Sequence, residues 1–133
     1  GDVFRKPNCR FVADFLGVSN IFQGELERGK GLSSFTINGL TMVTASRHSG
    51  RVNAAVRPED ILLSLKPIES SAQNSFEGII TDMADTSAVV RMTVEVGNIP
   101  FIAVITRRSL FDMELGIGSK VYLTFKAVDV HVF

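Results

Sequence analysis

Three stretches of the chain gather hydrogen-bond donors and contain no acid: Ser70-Ser71-Ala72-Gln73-Asn74, Thr106-Arg107-Arg108-Ser109, and Lys126. An oxyanion is held by groups of this kind, namely hydroxyls, amides, the N–H groups of a helix start and one or two cations. Each charge-assisted bond contributes about 1.5–3 kcal/mol net. The same residues also fit a plainer arrangement in which Ser and Asn shape a loop, Thr106 caps a helix and the three bases are surface charges. Spacing by itself favours the plainer arrangement.

Other chemistry finds less support. Gly24-Glu25-Leu26-Glu27-Arg28-Gly29-Lys30-Gly31 matches the spacing of a phosphate-cradling loop up to its lysine. That loop needs Ser or Thr next to hold magnesium, and a helix whose first amides face the phosphate. Gly31 supplies neither, and Glu25 and Glu27 repel a triphosphate, so the segment reads as a strand entering a turn. His48 and His131 have no Cys or paired carboxylate at ligand spacing, which argues against zinc. Asp82 and Asp85 read as a solvated turn. No nucleophile elbow or CxxC pattern offers a catalytic residue, so no enzymatic activity is expected of this chain.

The elements that position these residues are short apolar runs separated by Gly, Asn and Pro, the pattern of a sandwich or barrel. Strands are expected at 21–26, 33–37, 41–44, 52–56 and 61–65, with a hairpin turn at Asn38-Gly39. A second set is expected at 76–82, 88–96, 101–105, 121–125 and 128–132, joined to the first through the polar segment 67–74. Short helices are expected at 11–16, ending at Gly17, and from Arg107 to about Glu114, capped by Thr106. Asn20-x-Phe22-x-Gly24 recurs as Asn74-x-Phe76-x-Gly78, and Arg57-x-x-Asp60-Ile61 as Lys126-x-x-Asp129-Val130, in the same order. These matches predict a duplicated five-stranded barrel of the OB type, with lobes at 20–66 and 67–133 behind a leading segment 1–19.

Composition narrows the partners. The chain has 133 residues, 45% of them hydrophobic, with 14 basic and 14 acidic side chains. No basic cluster is present for nucleic acid or an anionic membrane, and no apolar run is long enough to insert into a bilayer. A lone Cys9 fits a reducing cytoplasm.

Phe11-Val12-Ala13-Asp14-Phe15-Leu16-Gly17, followed by Asn20 and Gly24, resembles the junction after the nucleotide-binding domain of ABC importer ATPases. Val56-Arg57-Pro58-Glu59-Asp60-Ile61 resembles their TOBE domain. From Ser71 to Val132 the chain is similar to the Mop, or molybdate-binding, version of that domain, through Ser71-Ala72-Gln73-Asn74, Ile105-Thr106-Arg107-Arg108-Ser109 and Phe125-Lys126-Ala127 with Val130-His131-Val132. The resemblance implies a tandem OB-like TOBE/Mop fold and a regulatory role in a molybdate/tungstate importer. It also implies a homodimer attached to the ATPase domain of the same polypeptide and, through it, to a membrane permease on the cytoplasmic side. No cofactor is implied, only molybdate or tungstate as regulatory ligand. Ser71, Ala72, Gln73 and Asn74 would form the first anion loop, Thr106 and Ser109 the helix start, and Lys126 with Ala127 a late strand. The family pattern has Arg where Gln73 stands, and Arg107 or Arg108 is the candidate replacement for that charge. Asp129 stands where small or hydroxylated residues are usual and would oppose a dianion.

Overall fold

The computed structural model describes residues 20–46, 48–68, 74–86 and 89–133. The helix expected at 11–16 lies outside them. Ten strands occur among the described residues, all in antiparallel pairs, and the chain divides into two compact units. The mainly β, OB-like expectation is borne out.

The first unit contains β1 (Asn20–Glu27), β2 (Ser33–Ile37), β3 (Leu40–Thr44), β4 (Gly50–Val56) and β10 (Val130–Val132), in the sheet order β10-β4-β1-β2-β3. Its strands alternate strictly where the sequence alternates: Phe22, Leu26, Phe35, Met42, Ala54 and Val56 are buried, while Glu25 and Thr36 face solvent. A two-residue turn joins β2 to β3. Asn38 (φ 46°) and Gly39 (φ 86°) both adopt the left-handed conformation that such a turn requires.

The second unit contains β5 (Leu62–Ser64), β6 (Asn74–Asp85), β7 (Val89–Val96), β8 (Ile99–Thr106), β9 (Lys120–Phe125) and a short helix α1 (Arg107–Asp112), in the sheet order β5-β9-β6-β7-β8. Phe76, Phe101 and Phe125 form a ring cluster with centroids 6.0–6.3 Å apart. In β6 the register slips by one residue between Ile80 and Asp82, a bulge on a strand that runs three residues beyond the expected end. Asp82 and Asp85 therefore lie in a strand and not in a turn.

The repeated motifs occupy equivalent places. Asn20 lies opposite Val56, the last residue of β4, and Asn74 lies opposite Phe125, the last residue of β9. Gly24 and Gly78 sit where a Cβ would strike the neighbouring strand, at the Thr36 carbonyl in one unit and at the Glu95 carbonyl, 2.8 Å away, in the other. After β4 and β9 comes the same 3-10 turn, Pro58–Asp60 in one half and Ala127–Asp129 in the other.

The units differ from the halves expected at 20–66 and 67–133. Residues up to 57 together with 126–133 make the first unit, and 58–125 make the second. Each half gives its last strand to the sheet of the other: β5 pairs with β9, and β10 pairs with β4. A three-residue apolar strand carries no information about its partner, so the alternation pattern places it equally well in either sheet.

Candidate functional site

At the end of β8, Thr106 keeps extended backbone angles (φ −78°, ψ 158°) and caps α1. Its Oγ1 accepts the Ser109 N–H at 3.1 Å and donates to Ser109 Oγ at 3.1 Å. Capping of this kind satisfies an N–H group that a helix start leaves without an intrahelical partner. The helix is shorter than expected and ends at Asp112. Its chain reversal uses Glu114 at φ 53°, a left-handed residue that is not glycine.

Arg107 follows the cap, and its guanidinium donates from Nη2 to Asp85 Oδ1 at 2.6 Å and to the Thr86 carbonyl. Arg108 sits 3.8 Å from Asp112 one turn along the helix. The Arg107 charge, a candidate anion ligand, thus has a partner of its own at the end of β6, in an exposed pair. Asp85 lies 22 residues away in the chain, so nothing in the local sequence announces the pair.

Asn74 opens β6 and is 2% exposed. It is a strand residue, not a loop residue as expected. Ser71, Ala72 and Gln73 lie outside the described residues. Its counterpart in the other half, Asn20, is 4% exposed and donates from Nδ2 to the Val56 carbonyl at 3.1 Å.

Lys126 and Ala127 were expected on a late strand, but the chain turns there. The Asp129 N–H donates to the Lys126 carbonyl at 2.9 Å, and Asp129 Oδ2 accepts the Lys126 N–H at 3.3 Å. Asp129 is thus a turn cap, which gives a structural reason for a carboxylate at a place where a dianion was expected. The Lys126 side chain is exposed and Ala127 is buried.

Within the second unit the fold brings together Thr106, Arg107, Ser109 and Asp85, and it places Asn74 at the head of the same sheet. Lys126 and Ala127 belong to the first unit.

Residues 70–132 match the family model of the TOBE domain. This part of the chain is a TOBE domain. Over 132 residues, 99% of its length, the chain is 36% identical to the molybdate/tungstate import ATP-binding protein WtpC of Pyrococcus horikoshii, and it spans 37% of that relative. It is 34% identical over 105 residues to the spermidine/putrescine import ATP-binding protein PotA of Trichormus variabilis, a match covering 73% of this chain and 27% of that protein. Among solved structures, the cytoplasmic molybdate-binding protein ModG with molybdate bound superposes with a TM-score of 0.73. That match covers 85% of this chain and 94% of the other at 17% identity, and it speaks to the fold. The TOBE region runs from β6 to β10, so its last strand lies in the sheet of the first unit. No helix among the described residues is long and apolar enough to cross a membrane.

Proposed function

We propose that the chain is the regulatory C-terminal part of an ATP-binding subunit in a molybdate or tungstate importer. It binds the oxyanion where two copies meet and so restrains transport. The observation that carries this reading is the 36% identity to a molybdate/tungstate import protein, sustained over 99% of the chain. Thr106 is exposed at the start of α1, with Ser109 hydrogen-bonded to it, and Lys126, in the other unit, is an exposed residue. Ser71, Ala72, Gln73, Asn74 and Ala127 complete the proposed set. Arg107 remains in it, its guanidinium also donating to Asp85 in an exposed pair. Through the ATPase domain of the same polypeptide the module would work at the cytoplasmic face of a permease.

Titration with tungstate, molybdate and sulfate tests this. A ligand at a hundred times its dissociation constant stabilises the folded state by about 2.7 kcal/mol. That gain is expected in the melting curve and is expected to vanish in Lys126→Ala. Gln73→Arg strengthens binding by supplying a bidentate donor, while Arg57→Ala leaves it unchanged. No thermal shift at saturating tungstate, together with no gain in Gln73→Arg, refutes the reading.

A second reading is supported by the PotA relative. In it the same domain serves as a ligand-free dimerisation module of an importer for another substrate. A chain that pairs in solution and ignores every oxyanion selects it.

A further inference from the structure

Residues 126–133 are held from two sides within the first unit. On one side β10 pairs with β4, and Asn53 and Phe133 exchange backbone hydrogen bonds at 2.8 and 2.9 Å. On the other side the end of β3 reaches the same segment. Thr44 Oγ1 donates to the Val130 carbonyl at 2.9 Å, and the Ala45 N–H donates to the Ala127 carbonyl at 3.3 Å. Since β3 and β10 are the two edges of the five-stranded sheet, these two bonds close it. Thr44, Ala127 and Val130 are buried, whereas Lys126, where the segment begins, is exposed. A short terminal segment fastened by a few bonds opens more readily than β1, which is paired with β2 and β4.

We infer that this segment is a strap whose closure is governed by the anion: an oxyanion held at Lys126 fixes the turn that follows and with it the closed edge of the first unit's sheet. The Lys126 carbonyl accepts the Asp129 N–H, and Asp129 Oδ2 accepts the Lys126 N–H, so tying down Lys126 ties down the turn. The next carbonyl in that turn, of Ala127, is the one that takes the Ala45 N–H. Opening of the strap carries Lys126 away from its ligand, so opening and binding exclude each other. Linkage then requires that occupancy suppress opening, by about a hundredfold for a ligand at a hundred times its dissociation constant. Asn74, Thr106, Arg107 and Ser109 lie in the second unit, so a response at β3 and β4 is not direct contact with them. The inference rests on the proposed oxyanion site. On that reading the ATPase domain precedes the first unit in the chain, and the strap is the device by which occupancy alters the unit next to it.

Hydrogen exchange of the full chain, with and without tungstate, tests it. The Ala45 and Asn53 amides donate to the strap, and with tungstate at a hundred times its dissociation constant they are expected to exchange up to about a hundredfold more slowly. In Lys126→Ala that slowing is expected to be absent. Thr44→Val, which alters no proposed ligand, is expected to speed exchange at both amides by about tenfold without tungstate, and Thr44→Ser to restore the wild-type rate. Tungstate that protects the Ser109 amide but leaves Ala45 and Asn53 unchanged overturns the strap and keeps the oxyanion site. Exchange in Thr44→Val equal to the wild type at Asn53 overturns it as well, because the clasp then holds nothing. No change at any amide under saturating tungstate removes the oxyanion site, and the strap's role falls with it.

Discussion

Ending the chain after Lys126 removes only seven residues of the sequence but takes β10 out of the first unit. The structure says what is lost. Asn53 and Phe133 exchange backbone hydrogen bonds at 2.8 and 2.9 Å, the Ala45 N–H donates to the Ala127 carbonyl at 3.3 Å, and Thr44 Oγ1 donates to the Val130 carbonyl at 2.9 Å. Val130 is 4% exposed and pairs with Val56. At about 0.5–1.5 kcal/mol for each bond and about 1.5–3 for the buried valine, the truncation costs about 4–9 kcal/mol. A domain of this size is stable by about 5–15 kcal/mol in all, so the first unit should unfold or become marginal. The second unit keeps every one of its strands. Hydrogen exchange is the suitable assay because it reads the two units separately: amides of β1 and β4 should lose protection, and those of β6, β7 and β9 should keep it. A truncated chain that melts within about 1 kcal/mol of the full one, with β4 still protected, would refute the exchange of last strands between the halves.

The same exchange predicts that residues 1–66 and 67–133, made separately, stay unfolded or aggregate, and that mixing them restores the β signal in circular dichroism. Thr44→Val keeps the shape of a fully buried side chain but leaves the Val130 carbonyl and the Ser46 N–H without its hydroxyl; chemical denaturation should show a loss of about 1–3 kcal/mol, largely avoided in Thr44→Ser. Gly78→Ala sets a methyl 2.7 Å from Val94 Cγ1 and 2.8 Å from the Glu95 carbonyl, and the resulting overpacking should cost about 1–3 kcal/mol in the same assay. The Arg107–Asp85 pair is half or more exposed on both sides, so a double-mutant cycle should assign it less than about 1 kcal/mol.

What the sequence determined by itself was local. The strands at β2, β4 and β7 follow from alternation of apolar and polar residues, because a pleated strand sends successive side chains to opposite faces. The Asn38-Gly39 turn follows from the two residue types that accept positive φ. Thr106 as a cap, and the duplication read from Asn-x-Phe-x-Gly, were legible for the same reason: each depends on residues a few positions apart. The tertiary structure alone decided which strand pairs with which. The apolar pattern of β5 and β10 fixes a face and leaves the partner open, and Thr44 finds Val130 across 86 residues. It also decided what the charges do. Arg107 was a candidate anion ligand from its neighbours, and Asp85, brought beside it by the pairing of β6, β7 and β8, turned it into one half of an ion pair. Asp129, read as an obstacle to an anion, became the cap of its own turn once the backbone N–H of Lys126 was placed against it. The exposure of Phe111 was left open by the sequence and decided by the fold. A six-residue helix has too few turns for its sequence to say which side will meet a sheet.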